Sequence, residues 1–282
     1  MNFFRKILNN QRGMSIVELT VAGAIGLIAL GGAVMVFTGQ NDLLKDENDG
    51  TKVRAKGRQA IKILAKEIRM AGYGLPPASV TQEDFVVDKS TNKIGFRTNK
   101  AADGSEARTY TTAAISANAT SIAVDNGLGF NDGDSIMIYQ TGYFRAKECL
   151  VYGAGTATQI GIVTCSVPPD TTTTTTFGAD AFDYAVNANL ILVSRFNTWE
   201  IELVGDQIEK TIDGGSTTIL INNLVPGPTG LEFDYVNFNF EGAGQTSTSK
   251  IGITLNLLDP DNLDASIEFK TDVTLRNLGI KG

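Results

Sequence analysis

The stretch LTVAGAIGLIALGGAVMVF, at residues 19–37, decides the architecture of this 282-residue chain. It carries no charged side chain, and at about 1.5 Å per residue a helix of this length spans a hydrocarbon core of about 30 Å. Basic residues precede it and acidic residues follow it closely: Arg5, Lys6 and Arg12 on one side, Asp42, Asp46, Glu47 and Asp49 on the other. Because positive charge favours the cytoplasmic side of a membrane, the pattern predicts one span with residues 1–13 in the cytoplasm and the remainder outside it.

The chain as a whole is acidic and contains no histidine. Its net charge is −7, although residues 1–13 contribute three cations and no anion. Nucleic-acid binding requires clustered cations that displace phosphate counterions, so the class of nucleic-acid-binding proteins is excluded. The missing histidine removes the commonest general base and the usual zinc ligand, and no catalytic sequence motif is present. We therefore predict no enzyme activity, no cofactor and no nucleic-acid partner.

Residues 11–22, QRGMSIVELTVA, resemble the class III signal of type IV pilins and pseudopilins. In that family a short basic leader ends in glycine, the next residue becomes the mature N-terminus, and a glutamate occupies mature position five. The resemblance implies that a prepilin peptidase cleaves between Gly13 and Met14 and that the new amine of Met14 is methylated. It also implies that Glu18 sets the register of assembly by pairing with the N-terminal amine of a neighbouring subunit. The family usually carries phenylalanine where this chain has Met14.

Glu18 is also singled out by a physical argument that does not depend on the resemblance. A carboxylate near the start of an apolar helix is costly in lipid unless it finds a partner, and a cationic amine is such a partner. The alternative is that Glu18 lies at the membrane interface and reaches headgroups or water.

Beyond a polar junction at residues 38–51, small and apolar residues recur every three or four positions. One stripe contains Gly57, Ala60, Ile61, Leu64, Ile68 and Ala71, and Lys62, Lys66 and Arg69 lie on another face. This spacing predicts an amphipathic helix that ends at residues 72–77, GYGLPP. If it continues the apolar segment, one helix runs from about residue 14 to 71, unless residues 48–50, Asn-Asp-Gly, interrupt it. Residues 67–74 also resemble the end of the N-terminal helix of PilW-type minor pilins.

After residue 77 the apolar pattern changes to a period of two. The predicted strands are 121–124, 135–139, 190–196, 199–203, 231–235, 250–257 and 266–275. In the last of these, alternate residues point to one face and predict a half-buried antiparallel strand: Ile267, Phe269, Thr271, Val273 and Leu275. Residues 271–278 resemble the final strand of PilW-type minor pilins and of J-type pseudopilins of type II secretion.

Cys149 and Cys165 are equally distant from Ala157, which lies in the glycine-rich stretch 152–158. A hairpin that turns there places the cysteines opposite each other, within reach of a disulfide. The alternative is two buried free thiols. The threonine tract at 171–176, which follows two prolines, predicts a solvated loop or linker, with glycosylation as an alternative.

Two acidic clusters raise the question of calcium. They contain Asp125, Asn126, Asn131, Asp132 and Asp134, and then Asp259, Asp261, Asn262 and Asp264. Calcium prefers six to eight oxygen ligands from flexible loops. Neither cluster has EF-hand spacing, however, and tight turns require Asn and Asp for backbone reasons. We interpret both clusters as turns and predict no metal site.

Together these features predict an α+β fold in which a long N-terminal helix packs on an antiparallel, β-sheet-rich domain. The predicted segments are a cleaved leader (1–13), a membrane or filament-core helix (14–38), its amphipathic continuation (39–73) and an extracytoplasmic domain (74–282) with an inserted hairpin or loop around 140–180.

The resemblance implies a minor pilin that starts assembly of a type IV pilus or caps it. It would lie in the inner membrane as a single-pass protein with a periplasmic domain, and then at the pilus on the cell surface. Implied partners are other major and minor pilins, the prepilin peptidase and the pilus assembly platform. The alternatives are a J-type pseudopilin of a type II secretion system and an adhesive or ligand-binding domain on a static membrane anchor.

Overall fold

The computed structural model describes residues 15–77, 84–115, 119–140, 146–167, 170–175, 191–239, 246–258 and 266–275. Within them the chain forms one long helix, α1 (Ile16–Ile68), followed by strands β1 (Val86–Lys89), β2 (Lys93–Thr98), β3 (Arg108–Tyr110), β4 (Ser121–Ala123), β5 (Ser135–Gln140), β6 (Ala146–Val151), β7 (Gln159–Val167), β8 (Asp170–Thr175), β9 (Ile191–Val204), β10 (Gln207–Ile212), β11 (Thr217–Ile221), β12 (Leu231–Asn239), β13 (Thr246–Leu258) and β14 (Ser266–Thr274). The chain divides into two compact units, one ending at Lys52 and the other beginning at Val53. The predicted combination of a long apolar N-terminal helix with an antiparallel β domain is confirmed.

Helix α1 is continuous through Asn48, Asp49 and Gly50, so the interruption left open at these residues does not occur. At its start, the amide of Val17 donates to Oγ of Ser15 at 3.3 Å, which satisfies one of the unpaired amides of the first turn. After Ile68 the chain turns through Gly72, whose φ of 72° is the left-handed conformation that glycine adopts at low cost.

The second part of α1 buries the predicted stripe. The residues with little or no exposure are Gly57, Ala60, Leu64, Ala65 and Ile68. They join the side chains of β2, β12, β13 and the second half of β9 in the largest apolar core. Burial of this face stabilises the helix more than its own propensity does, because most helical stability in proteins comes from packing.

Strands β12, β13 and β14 form a separate antiparallel sheet in that order. In β14 the partly or fully buried residues alternate with exposed ones, and Val273 is completely buried. The predicted facing of this strand is therefore confirmed. Helix α1 approaches the sheet closely at Gly57, where an added Cβ would lie 2.2 Å from the ring of Phe269.

This close approach predicts that Gly57→Ala destabilises the protein. Alanine favours a helix over glycine by about 1 kcal/mol, but overpacking against the Phe269 ring costs about 1–3 kcal/mol. We expect a net loss of about 1 kcal/mol in the free energy of unfolding, measured by urea denaturation in detergent. In a Phe269→Ala background the same change should stabilise the protein, and a loss of equal size in both backgrounds would contradict the packing argument.

The remaining strands form one large sheet with the order β1-β2-β9-β5-β6-β7-β4, to which β3, β8, β10 and β11 add. Strand β9 is its longest member. Residues 191–196 pair with β5, whereas residues 197–202 pair with β2 and residues 199–204 with β10. The predicted strands 190–196 and 199–203 are thus one continuous strand, because Asn197 and Thr198 keep their pairing with β2.

A second apolar core is built from side chains of β4, β5, β6, β7 and the first half of β9, all strands of the large sheet. Its most buried side chains include Ile122, Phe130, Ile136, Ile138, Ile160 and Val193. The threonine tract lies beside this part of the sheet as β8, which pairs with β7. The prediction of a loop is therefore wrong for residues 171–175. Threonine is β-branched and fits a strand well once a neighbouring edge supplies backbone partners. Thr176 lies outside the described residues.

Candidate functional site: the exposed apolar segment of α1

The first part of α1 presents its apolar side chains without protein cover. Each of the following is between 52% and 81% exposed: Ile16, Val17, Leu19, Val21, Ile25, Leu27, Ile28, Leu30, Val34, Met35, Val36 and Phe37. Exposed apolar area costs about 25 cal/mol per Å² in water, and contiguous patches of this kind mark interaction sites or membrane contacts. The surface therefore requires a lipid or protein environment.

By length and composition this helix is a candidate membrane span near the N-terminus. The most apolar 18-residue stretch of the helix has a mean hydropathy of 2.2, and none of this stretch is buried inside the protein. The predicted apolar span is confirmed at this level. Gly13 and Met14, the predicted cleavage and methylation residues, lie outside the described residues.

Glu18 lies in the first turn of α1 and is exposed. The amides of this turn carry the positive end of the helix dipole, which favours a carboxylate here. Within the described residues Glu18 makes no ion pair. Its carboxylate thus stands among apolar side chains at the open end of the helix and is accessible to a cation from outside the described chain.

The hairpin of β6 and β7 carries the disulfide. Cys149 lies directly opposite Cys165 in the antiparallel pair, and the two sulfurs are bonded. The prediction of a disulfide from the spacing about Ala157 is confirmed, and the alternative of two free thiols is excluded. Both residues are only 3% exposed and belong to the second core.

Two arginine contacts, one buried and one half-buried, were not foreseen from the sequence. Arg195, on β9, is 4% exposed, and its guanidinium donates to the carbonyl of Ser105 at 2.9 Å, to the hydroxyl of Ser105 at 2.9 Å and to the carbonyl of Gly129 at 3.2 Å. Its partner carboxylate is Asp134, at 3.7 Å. The contacts join segments far apart in the sequence, so no local pattern signals them.

The second arginine is Arg97, on β2. It forms an ion pair with Glu148 on β6, and its guanidinium lies 5.0 Å from the centre of the Phe196 ring. Burial raises the pKa of Glu148 above its usual value, and the opposing effect of Arg97 is smaller. The pair therefore sits where the charged form of the carboxylate carries a desolvation cost.

This raised pKa predicts a pH dependence of stability. Between the unfolded and the folded pKa of Glu148, the folded protein binds more protons, so its stability falls as pH rises through that window. We expect the free energy of unfolding to fall more between about pH 4 and about pH 7 in the wild type than in Glu148→Gln. Urea titrations at both pH values measure this difference. The exposed Glu106→Gln is the control and should keep the wild-type dependence; an unchanged dependence in Glu148→Gln would contradict the assignment.

The first acidic cluster serves turns, as interpreted from the sequence. Oδ1 of Asp132 accepts a hydrogen bond from the amide of Gly153 at 2.7 Å, and Oδ2 of Asp134 accepts one from the amide of Asn131 at 2.7 Å. No group of three or more metal-ligating His, Cys, Asp or Glu side chains occurs in the part of the chain that the structure describes. The second cluster, around Asp261, lies outside that part.

A shallow cleft of about 160 Å³ lies beside the end of α1, and Glu67, Lys210 and Trp199 in its lining contact one another. Nζ of Lys210 lies 3.1 Å from Glu67 and 4.3 Å from the centre of the Trp199 ring. The indole of Trp199 donates to the carbonyl of Lys100 at 3.0 Å. These contacts hold the end of α1 against the large sheet, which is a structural role.

The exposed segment of α1, with Glu18 at its start, is therefore the apolar surface that the fold itself leaves uncovered. Comparison of the chain with protein-family models, with curated proteins and with solved structures gave no match.

Proposed function

We propose that the chain is a minor pilin, a structural subunit that starts assembly of a type IV pilus or caps it through its N-terminal helix. The observation that carries this proposal is the exposed apolar segment of α1 with a single carboxylate in its first turn. Lipid covers that surface in the inner membrane before assembly, and the helices of other pilins cover it afterwards. The β-rich unit then lies outside the cytoplasm, where an oxidising environment maintains a disulfide such as Cys149–Cys165.

The motif at residues 11–22 supports the same proposal. Cleavage after Gly13 by a prepilin peptidase creates an amine at Met14, and Glu18 pairs with that type of amine on a neighbouring subunit. An ion pair in an apolar environment is much less screened than one in water. The pair therefore fixes the axial position of one apolar helix against its neighbour, which apolar contacts alone leave undetermined.

The first test is the mass and the N-terminal sequence of the protein recovered from native membranes. A mature chain that begins with a methylated Met14 supports the proposal. A chain that still begins at Met1 contradicts it and supports a static membrane anchor instead.

The second test is Glu18→Gln, which keeps the size of the side chain and removes its charge. We expect recovery of the chain in the sheared filament fraction to fall by about tenfold, as for the loss of about 1.4 kcal/mol of binding free energy. Glu47→Gln, an exposed glutamate on the same helix, is the matched control and should leave recovery unchanged. Equal recovery of the two variants would count against a register role for Glu18.

A further inference from the structure

Five cations lie on the exposed face of the second part of α1 and on the turn that follows it. They are Arg54, Arg58, Lys62, Lys66 and Arg69, and we call them the basic row. Every member lies in the unit that begins at Val53 and is exposed, and none forms an ion pair with any residue that the structure describes. Successive members are three or four positions apart, so they form one basic surface along about 22 Å of helix.

The rest of this unit does not neutralise the basic row. The one acidic residue within positions 54–69 is Glu67, and its carboxylate is paired with Lys210 at 3.1 Å. By contrast, Lys250 on β13 has an acidic partner, Asp272, at 2.8 Å. Like charges at a spacing of four residues destabilise a helix, so the fold gains nothing from leaving the row uncompensated.

The helix dipole explains only part of the basic row. The free carbonyls at the end of a helix favour cations in its last turn, which applies to Lys66 and to Arg69 just beyond it. This effect falls off within one turn, and Arg54, Arg58 and Lys62 lie earlier in α1. These three cations therefore have no stabilising role within the helix itself.

The basic row leads into a second cleft at the end of α1, which we call the end cleft. It has a volume of about 390 Å³, and its lining includes Lys66 and Arg69 of the row together with Met70 and Tyr73. Tyr73 is 44% exposed, so its ring is accessible to a partner. Methionine adapts to the shape of an apolar neighbour, and a tyrosine ring packs well against aromatic groups. The end cleft thus has room for an apolar or aromatic side chain beside two cations.

We propose that the basic row and the end cleft bind an acidic segment of a different protein. Its carboxylates lie along the row, and an apolar or aromatic side chain at one end of the segment enters the end cleft. The choice of a different protein over a second copy rests on the proposed function, because a subunit that starts or caps a filament meets subunits of another kind.

A short acidic segment suits this surface better than nucleic acid or a membrane does. The row is only about 22 Å long, and the chain has a net charge of −7 in spite of it. A duplex or an anionic lipid surface extends beyond the row and brings phosphates towards the acidic remainder of the chain, where repulsion acts over about 8 Å in physiological salt. Neither of them presents an apolar side chain to the end cleft.

The two parts of the surface contribute differently to binding. An exposed ion pair changes a binding constant by about fivefold at most and is weakened by salt. The row therefore selects and orients an acidic partner, whereas a side chain that fills a pocket commonly supplies most of the affinity. Binding should weaken as salt is added, but it should not vanish.

Binding of a defined peptide to the full chain in non-ionic detergent tests the row. The probe is a fluorescent, alanine-rich peptide with one glutamate for each cation of the row and a phenylalanine at its end, and its anisotropy reports binding. Lys62→Glu with Lys66→Glu should weaken binding by about tenfold, because two ion pairs are lost. Lys250→Glu with Lys270→Glu makes the same change in net charge on β13 and β14 and should have little effect. Equal weakening by the two pairs would overturn the proposal.

A second pair of peptides tests the end cleft. Tyr73→Ala should weaken binding of the phenylalanine peptide by about fivefold, as for the loss of one aromatic contact. The same substitution should leave binding of a peptide that ends in alanine unchanged. An equal effect on both peptides would overturn the role of the cleft. Competition by duplex DNA, or by micelles that contain phosphatidylglycerol, as effective as that of unlabelled acidic peptide would overturn the choice of partner.

A photo-crosslinking amino acid in place of Lys62 identifies the occupant in native membranes. Irradiation should link the chain to a different protein, through a segment rich in aspartate and glutamate. The link should be lost when Lys66→Glu and Arg69→Glu are added. Links to a second copy, to lipid or to a segment without acidic residues would overturn the proposal, and so would the absence of any link.

The outcomes separate this proposal from the proposed function. If the mature chain begins at Met14 and Glu18→Gln fails to assemble, but position 62 gives no acidic cross-link, the minor pilin proposal stands and the docking surface is wrong. If the chain still begins at Met1 and position 62 links to an acidic segment of another protein, the docking surface stands and the minor pilin proposal is wrong.

Discussion

Replacing Arg195 with methionine should lower the free energy of unfolding by about 3 kcal/mol. Hydrogen bonds that involve a charged group contribute about 1.5–3 kcal/mol each, and the guanidinium makes three, to Ser105 and Gly129. The cost of removing the guanidinium charge from water offsets part of their sum. Methionine retains much of the apolar stem but leaves the Ser105 and Gly129 carbonyls without this donor. The loss should appear as a lower urea midpoint with an unchanged slope.

Two further substitutions make this measurement specific. Arg195→Lys keeps the charge, but a single ammonium does not reproduce the planar fork of donors, so it should recover only part of the loss. Arg58→Met removes an exposed arginine that has no ion pair among the described residues, and it should change stability by less than about 0.5 kcal/mol. Similar losses for Arg58→Met and Arg195→Met would show that burial and hydrogen bonding at Arg195 are unimportant.

Removal of the disulfide by Cys149→Ala with Cys165→Ala should cost about 3 kcal/mol. The bond closes a loop with a sequence separation of 16, and loops of this length restrict the unfolded chain by roughly that amount. Both sulfurs also lie in the second apolar core, so their loss leaves space that the core must fill.

Reductant provides the control for this prediction. Unfolding measured with a reducing agent should bring the wild type close to the double variant, and the variant itself should not respond to the agent. A double variant as stable as the oxidised wild type would show that the hairpin is held by β-pairing and packing alone.

The parts of the fold that sequence predicts are those encoded locally. The buried stripe of α1 and the alternation of β14 follow from the spacing of apolar residues, and the Cys149–Cys165 pair follows from a turn centred on Ala157. The continuity of β9 through Asn197 and the strand character of the threonine tract depend on neighbouring strands that lie far away in the sequence. Local composition at those positions favours a break, and pairing overrides it.

The same distinction applies to the candidate site. Glu18 and the apolar segment are visible in the sequence because a carboxylate at the start of an uncharged stretch is conspicuous. Arg195 is not, since its acceptors at Ser105 and Gly129 are 90 and 66 residues away. Glu148 is likewise recognised as a perturbed carboxylate only in the folded chain, where burial raises its pKa.

The length of β9 bears on how the β-rich unit unfolds. Its second half contributes Trp199, Ile201 and Leu203 to the core around α1, and its first half contributes Ile191 and Val193 to the core around the disulfide. Neither core can lose its order without disturbing a strand that the other shares. The two cores should therefore unfold cooperatively in one transition. A destabilising substitution in the hairpin of β6 and β7, far from α1, should also destabilise the surface on which α1 packs.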